Sequence, residues 1–84
     1  MPEKEVGKVM DFFARPVVAG IDMSGDLKVG DRIHIKGHTT DMEMIINSMQ
    51  IDNNNVDSAR KGDSVGIKVL DRVRPGDTVY VITD

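Results

Sequence analysis

His34 and His38 stand four residues apart, close enough in sequence to propose a shared metal ion. Gly37 lies between them and no third ligand is evident nearby, so they read instead as two exposed histidines on a strand and its following turn. Asp41 and Glu43 could pair for proton transfer on one strand face, although alternating acids also make an ordinary solvated edge. Asp52-Asn53-Asn54-Asn55-Val56-Asp57 is oxygen-rich like a calcium loop. It lacks the glycine of the sharp turn and the closing glutamate, so it reads as a plain loop. Ser24, Ser48, Ser58 and Ser64 have no matched base and orienting group. The chain has no cysteine, which removes thiolate chemistry and disulfides together. These residues predict a non-enzymatic protein with no cofactor and no metal.

The remaining chemistry is charge. Arg32, His34 and Lys36 alternate with Ile33 and Ile35, so the first three share the outward face of one strand. Such a strip, extended by Lys28 or Lys68, could meet phosphate. The competing reading is a charged face that keeps the protein in solution. A net charge of −3 disfavours nucleic-acid binding driven by bulk charge. Phe12, Phe13 and Tyr80 are expected in the core, which leaves no stacking platform for single-stranded bases.

Three related segments must position these residues. Leu27-Lys-Val-Gly-Asp-Arg-Ile-His-Ile-Lys-Gly37, Lys61-Gly62-Asp63-Ser64-Val65-Gly66-Ile67 and Arg74-Pro75-Gly76-Asp77-Thr78-Val79-Tyr80-Val81 share a basic residue, an optional spacer, Gly-Asp, and then β-branched residues. Gly admits a turn conformation that other residues resist, and Asp can bond nearby backbone to tighten it. The β-branched residues then start a strand, with Ile33, Ile35, Val65, Ile67 and Val79 predicted in the core. Further strands are expected over Val6–Phe13, Val17–Met23 and within Thr40–Ile51, with Pro16 in a loop or strand edge. Two stretches are ambiguous. Val6, Val9, Met10 and Phe13, and again Met42, Ile45, Ile46 and Met49, fall at helical spacing. Residue types alone leave helix and strand open there. At 84 residues the chain makes one domain, residues 1–84. Its charged start and the absence of an apolar run near the roughly 20 residues of a span predict a cytoplasmic protein without a membrane segment.

Taken in order, these segments resemble the second domain of translational GTPases such as elongation factor Tu. Ala14-Arg15-Pro16-Val17-Val18-Ala19-Gly20 is similar to the family's Gly-Arg-Gly-Thr-Val-Ala-Thr. Leu27 to Gly37 is similar to its Lys-Val-Gly-Asp-Glu-Val-Glu-Ile-Val-Gly. Arg60-Lys61-Gly62-Asp63-Ser64-Val65-Gly66 resembles Ala-Gly-Asp-Asn-Val-Gly, and Arg74-Pro75-Gly76-Asp77 its closing turn. The resemblance runs from about Val6 to Ile82. It implies an all-β fold, a six- to seven-stranded Greek-key β-barrel, in which both ambiguous stretches are strands. A bulge between Ile46 and Met49 would then explain the slip in apolar parity.

In that family the barrel helps to hold the aminoacylated end of tRNA. The positions around the terminal adenosine match Gln50 and Asn53, with Asp52 between them, and a position near the aminoacyl group matches Ser64. All four carry other residue types here. Two candidate RNA-binding regions result: the Arg32/His34/Lys36 face, marked by its charge, and the turn near Gln50, Asn53 and Arg60, where the resemblance implies that the family holds its nucleotide. No phosphate-binding loop is present, so GTP binding is not expected. Three functions follow. One is a translation-linked module binding RNA or the ribosome. Another is a protein-interaction domain that has lost the RNA site. The third is a detached accessory domain of an RNA-modifying or peptidase-like enzyme. The oligomeric state is left open.

Overall fold

Alternation sets the strands. In Arg32–Lys36, Ile33 and Ile35 are buried while Arg32 and Lys36 are exposed, and Val65 and Ile67 are buried between exposed Ser64 and Lys68. A computed structural model describes residues 2–15 and 17–83 of the chain; Pro16, expected in a loop or strand edge, lies outside them. Ten strands follow in order among the described residues: β1 (Glu3–Phe13), β2 (Val18–Met23), β3 (Leu27–Lys28), β4 (Arg32–Lys36), β5 (Asp41–Ile45), β6 (Met49–Ile51), β7 (Asn54–Val56), β8 (Ser58–Ala59), β9 (Ser64–Lys68) and β10 (Thr78–Ile82). Eight of them form one curled sheet in the order β5-β4-β10-β1-β2-β9-β6-β7, and β3 pairs with β8 in a small second sheet. Every pairing is antiparallel. The all-β expectation holds. The main sheet has eight strands rather than six or seven, and its end strands β5 and β7 are not paired to each other.

The Gly-Asp segments are one structure made three times. Lys28–Asp31, Arg60–Asp63 and Arg74–Asp77 are each a four-residue turn closed by a 3.0 Å bond from the Asp N–H to the carbonyl of the basic residue. The glycine in third position has φ of 97° in all three, as a type II turn demands. The Asp carboxylate returns to accept the N–H of the basic residue, at 3.0, 3.0 and 2.8 Å in the three turns. The spacer is therefore obligatory, and the second turn begins at Arg60 rather than Lys61. Each turn also grips one residue of another segment. Gly30 N–H and Asp31 C=O bond the carbonyl and amide of Ile46; Gly62 and Asp63 do the same to Met23, and Gly76 and Asp77 to Val9.

Neither segment with helical spacing is a helix: the first is β1, and the second is β5 and β6 with a connection between them. In β1, register slips between Glu5 and Gly7 against β10, and between Val9 and Asp11 against β2. Each bulge shifts parity by one residue. Val6, Val9 and Phe12 therefore turn inward at intervals of three, which imitates a helix. Met10 and Phe13 are left 62 % and 51 % exposed, so Phe13 is not the core residue that its type predicts. Tyr80 and Phe12 are half-buried. In the second stretch no bulge is needed. Residues 46–48 leave the strand and connect β5 to β6, with Ile46 held by the first turn.

The core lies inside the curl. Val6, Val9, Ile21, Ile33, Ile35, Ile46, Met49, Ile67 and Val79 are essentially inaccessible. Ile33, Ile35, Val65, Ile67 and Val79, expected inside, are at most 1 % exposed. No helix among the described residues is long and apolar enough to cross a membrane. Ile35→Ala should lower unfolding stability by about 2–5 kcal/mol in a urea titration, the usual cost of an unfilled core position. A loss below about 0.5 kcal/mol, typical of surface sites, would contradict this packing.

Candidate functional site

The Arg32/His34/Lys36 face exists as expected, on β4. Arg32 and Lys36 are exposed and His34 is half-buried. Neighbouring strands change its character. On β5, Asp41 lies opposite Lys36, Glu43 opposite His34 and Ile45 opposite Arg32. On β10, Tyr80 lies opposite His34 and Thr78 opposite Lys36. Glu3, from β1, brings its Oε2 to 2.6 Å from His34 Nδ1, and Asp41 Oδ1 hydrogen-bonds Nε2. The face is thus a mixed ionic patch centred on a histidine between two carboxylates.

That bracketing fixes the protonation chemistry. A neutral imidazole has only one N–H, whereas the imidazolium donates to both acids. The Asp41 hydrogen bond raises the His34 pKa above its ordinary 6.5; burial opposes the rise and Glu3 adds to it. The same bond lowers the Asp41 carboxyl below its usual range. Both effects follow from favouring the charged partners. Glu3, His34 and Glu43 are also the described residues best placed around a cation, with ligand atoms within 4.8 Å of one another. The spacing of His34 and His38 does not mark that group: His38 sits exposed in the turn beyond β4.

Gln50, Asn53 and Arg60 lie elsewhere. In the order of the sheet, β10, β1, β2 and β9 separate β4 from β6, which carries Gln50. Gln50 Nε2 donates to Asn55 Oδ1 at 3.1 Å across the β6–β7 hairpin. Asp52 and Asn53 have φ of 53° and 65°, forming the two-residue turn of that hairpin. The oxygen-rich segment is therefore a hairpin and not a calcium loop. Arg60 heads its Gly-Asp turn and borders an open concavity of about 840 Å³ with Lys4, Lys28, Asp31 and Ile51. The structure does not bring the two expected regions together.

One surface feature is missed by the search for reactive types. Exposed Met10 and Phe13 border a shallow trough floored by Gly20 and Gly66. The available signal is a glycine inside each of two strand-like runs, Val17–Met23 and Ser64–Leu70.

No protein-family model matches the chain. Over 81 residues it is 43 % identical to an uncharacterised protease of Methanocaldococcus jannaschii, covering 95 % of this chain and 20 % of the protease. It is 36 % identical over 77 residues to a collagenase of Porphyromonas gingivalis, covering 89 % of the chain and 21 % of the collagenase. Among solved structures, the C-terminal domain of a U32 peptidase from Geobacillus thermoleovorans superposes with a TM-score of 0.89 at 18 % identity, covering 95 % of this chain and 93 % of that one. Its selenomethionine variant gives 0.86 at 19 % identity, covering 90 % and 96 %. The chain spans about a fifth of the length of the curated relatives it matches.

These likenesses overturn the resemblance to the second domain of translational GTPases. Sequence relatives are peptidases and collagenases, and the matching structures are C-terminal domains of a U32 peptidase. The elongation-factor assignment falls, and the tRNA-holding role carried with it loses its support. The physical reason is visible in the fold. The residues that carried the resemblance are mainly the Gly-Asp turns, which serve architecture.

The His34 geometry makes a definite pH prediction. Its raised pKa contributes stability that is fully present below pH 6.5 and is lost as pH rises through the folded-state value. His34 should titrate above 6.5 by proton NMR, and the stability decline across that range should vanish in His34→Gln. Titration at or below 6.5 would show that Glu3 and Asp41 do not hold the imidazolium.

Proposed function

We propose that the chain is a non-catalytic accessory β-barrel that works with a peptidase-like catalytic domain. One observation carries this reading. Nearly the whole chain matches a protease at 43 % identity, yet it corresponds to only 20 % of that protein. The matching segment is thus a module within a larger peptidase. The superposition on a separately solved C-terminal domain supports the same division.

Local geometry agrees with an accessory role. The His34 cluster sits on the outer face of the sheet, with the Asp41 side chain largely exposed and that of Glu3 partly so. In the 840 Å³ concavity, Asp31 and Asp63 already cap their own turns through Oδ2. Neither place offers a nucleophile beside an oriented base. What such a module supplies is binding area and orientation.

The test combines activity and association. The purified chain should not hydrolyse gelatin or casein. It should bind the catalytic portion of a U32-type peptidase lacking its own barrel, saturably by calorimetry. Peptide hydrolysis by the chain alone, lost on no contaminant-removing step, would overturn the non-catalytic reading. Absence of binding to that portion would overturn the partnership.

A further inference from the structure

Gly20 on β2 and Gly66 on β9 are directly paired, with Asp11 of β1 beside Gly20 and Gln50 of β6 beside Gly66. Their sequence neighbours Ala19, Ile21, Val65 and Ile67 are buried, so both glycines face outward. Glycine within a strand weakens it and often marks a place where another backbone comes close. Internal packing does not demand these two. Neither has the positive φ of the turn glycines. A Cβ on Gly20 would lie 3.4 Å from Asp11 Cβ, and one on Gly66 3.4 Å from Val18 Cγ1, at the edge of ordinary contact. Gly7 differs: its Cβ would come within 2.8 Å of Ile21 Cγ2 and 2.9 Å of the Asp22 carbonyl, so the fold itself requires it.

The paired glycines floor a trough of about 290 Å³, bordered by Met10, Phe13, Asp11 and Asp22. Phe13 owes its outward aim to the second β1 bulge, whereas Met10 follows inward-facing Val9 by simple alternation. Two exposed apolar side chains over a bare backbone floor form the kind of small anchor pocket found at interface centres. The volume suits one or two side chains of a partner segment. The charges at its rim are both acidic.

We propose that this trough docks the catalytic domain of the peptidase partner. That domain would lay an apolar segment across the Gly20–Gly66 row, between Met10 and Phe13, with a flanking Lys or Arg against Asp11 or Asp22. The proposal rests on the accessory-domain reading. The occupant is argued from the relative in which the matching segment makes up only 20 % of the protein, the other four-fifths lying outside it. A module carried in such a chain needs a contact face, and this trough pairs exposed apolar side chains with glycines the barrel does not need.

Gly66→Val separates function from folding, because a β-branched residue favours an outward strand position. Its thermal midpoint should equal or exceed that of the wild type. Its binding to the catalytic portion of the Methanocaldococcus jannaschii protease should be about ten-fold or more weaker, as should that of Phe13→Ser. His34→Gln, on another face, should bind as the wild type does. If the wild type binds and both trough variants bind equally well, docking lies elsewhere while the accessory reading stands. If Gly66→Val melts well below the wild type, the glycine is structural and the premise fails. Self-association through the trough, or casein peptides competing there, would replace the proposed occupant. If the wild type binds nothing, the accessory reading fails and this proposal with it.

Discussion

Three Gly-Asp turns hold this all-β fold together. Each closes on itself through an Asp N–H and an Asp carboxylate, then grips both backbone groups of one distant residue. Val9, Met23 and Ile46, the residues gripped, are all buried. Val9 lies at a bulge, Met23 at a strand end and Ile46 just beyond one. These are places where a sheet would otherwise leave a buried amide or carbonyl unpaired, which is costly. The third turn shows how tightly the arrangement is built. Asp77 is buried, and a Cβ on Gly37 would stand 1.8 Å from its Oδ1. A chain of 84 residues without cysteine has few other ways to fasten short strands.

This constraint also explains what the sequence reveals. The turn residues, the strands that follow them and the inward isoleucines and valines are all local, with periods of two and a fixed turn chemistry. They are legible without tertiary information. The β1 bulges are not, because they depend on which partner strand sits on each side. Without them, Val6, Val9, Met10 and Phe13 imitate a helix, and Phe13 passes for a core residue. The Ile46–Ser48 connection is hidden for the same reason, since a turn 16 residues earlier holds it, at Gly30 and Asp31.

The site is legible only in part. Alternation correctly places Arg32, His34 and Lys36 on one face. It gives no view of Glu3, 31 residues away, or of Asp41 across the β4–β5 hairpin. A strip that looks basic along one strand is therefore mixed once neighbours are added. The family reading misleads in a related way. Residues that build a barrel can recur in unrelated roles, so they identify architecture better than activity. The peptidase relatives and the unexplained strand glycines instead direct attention to a contact surface on the opposite part of the sheet order, over β1, β2 and β9.

The turns are integral to the sheet and open only when it unfolds. Native-state hydrogen exchange on the chain tests this directly, at the amides of Val9, Met23 and Ile46 and of Gly30, Gly62 and Gly76. All six should exchange through global unfolding, with protection and denaturant dependence matching those of the Ile33 and Ile67 amides. Exchange of the turn pairs through separate, low-energy openings while the core amides stay protected would show that the turns decorate the fold rather than hold it.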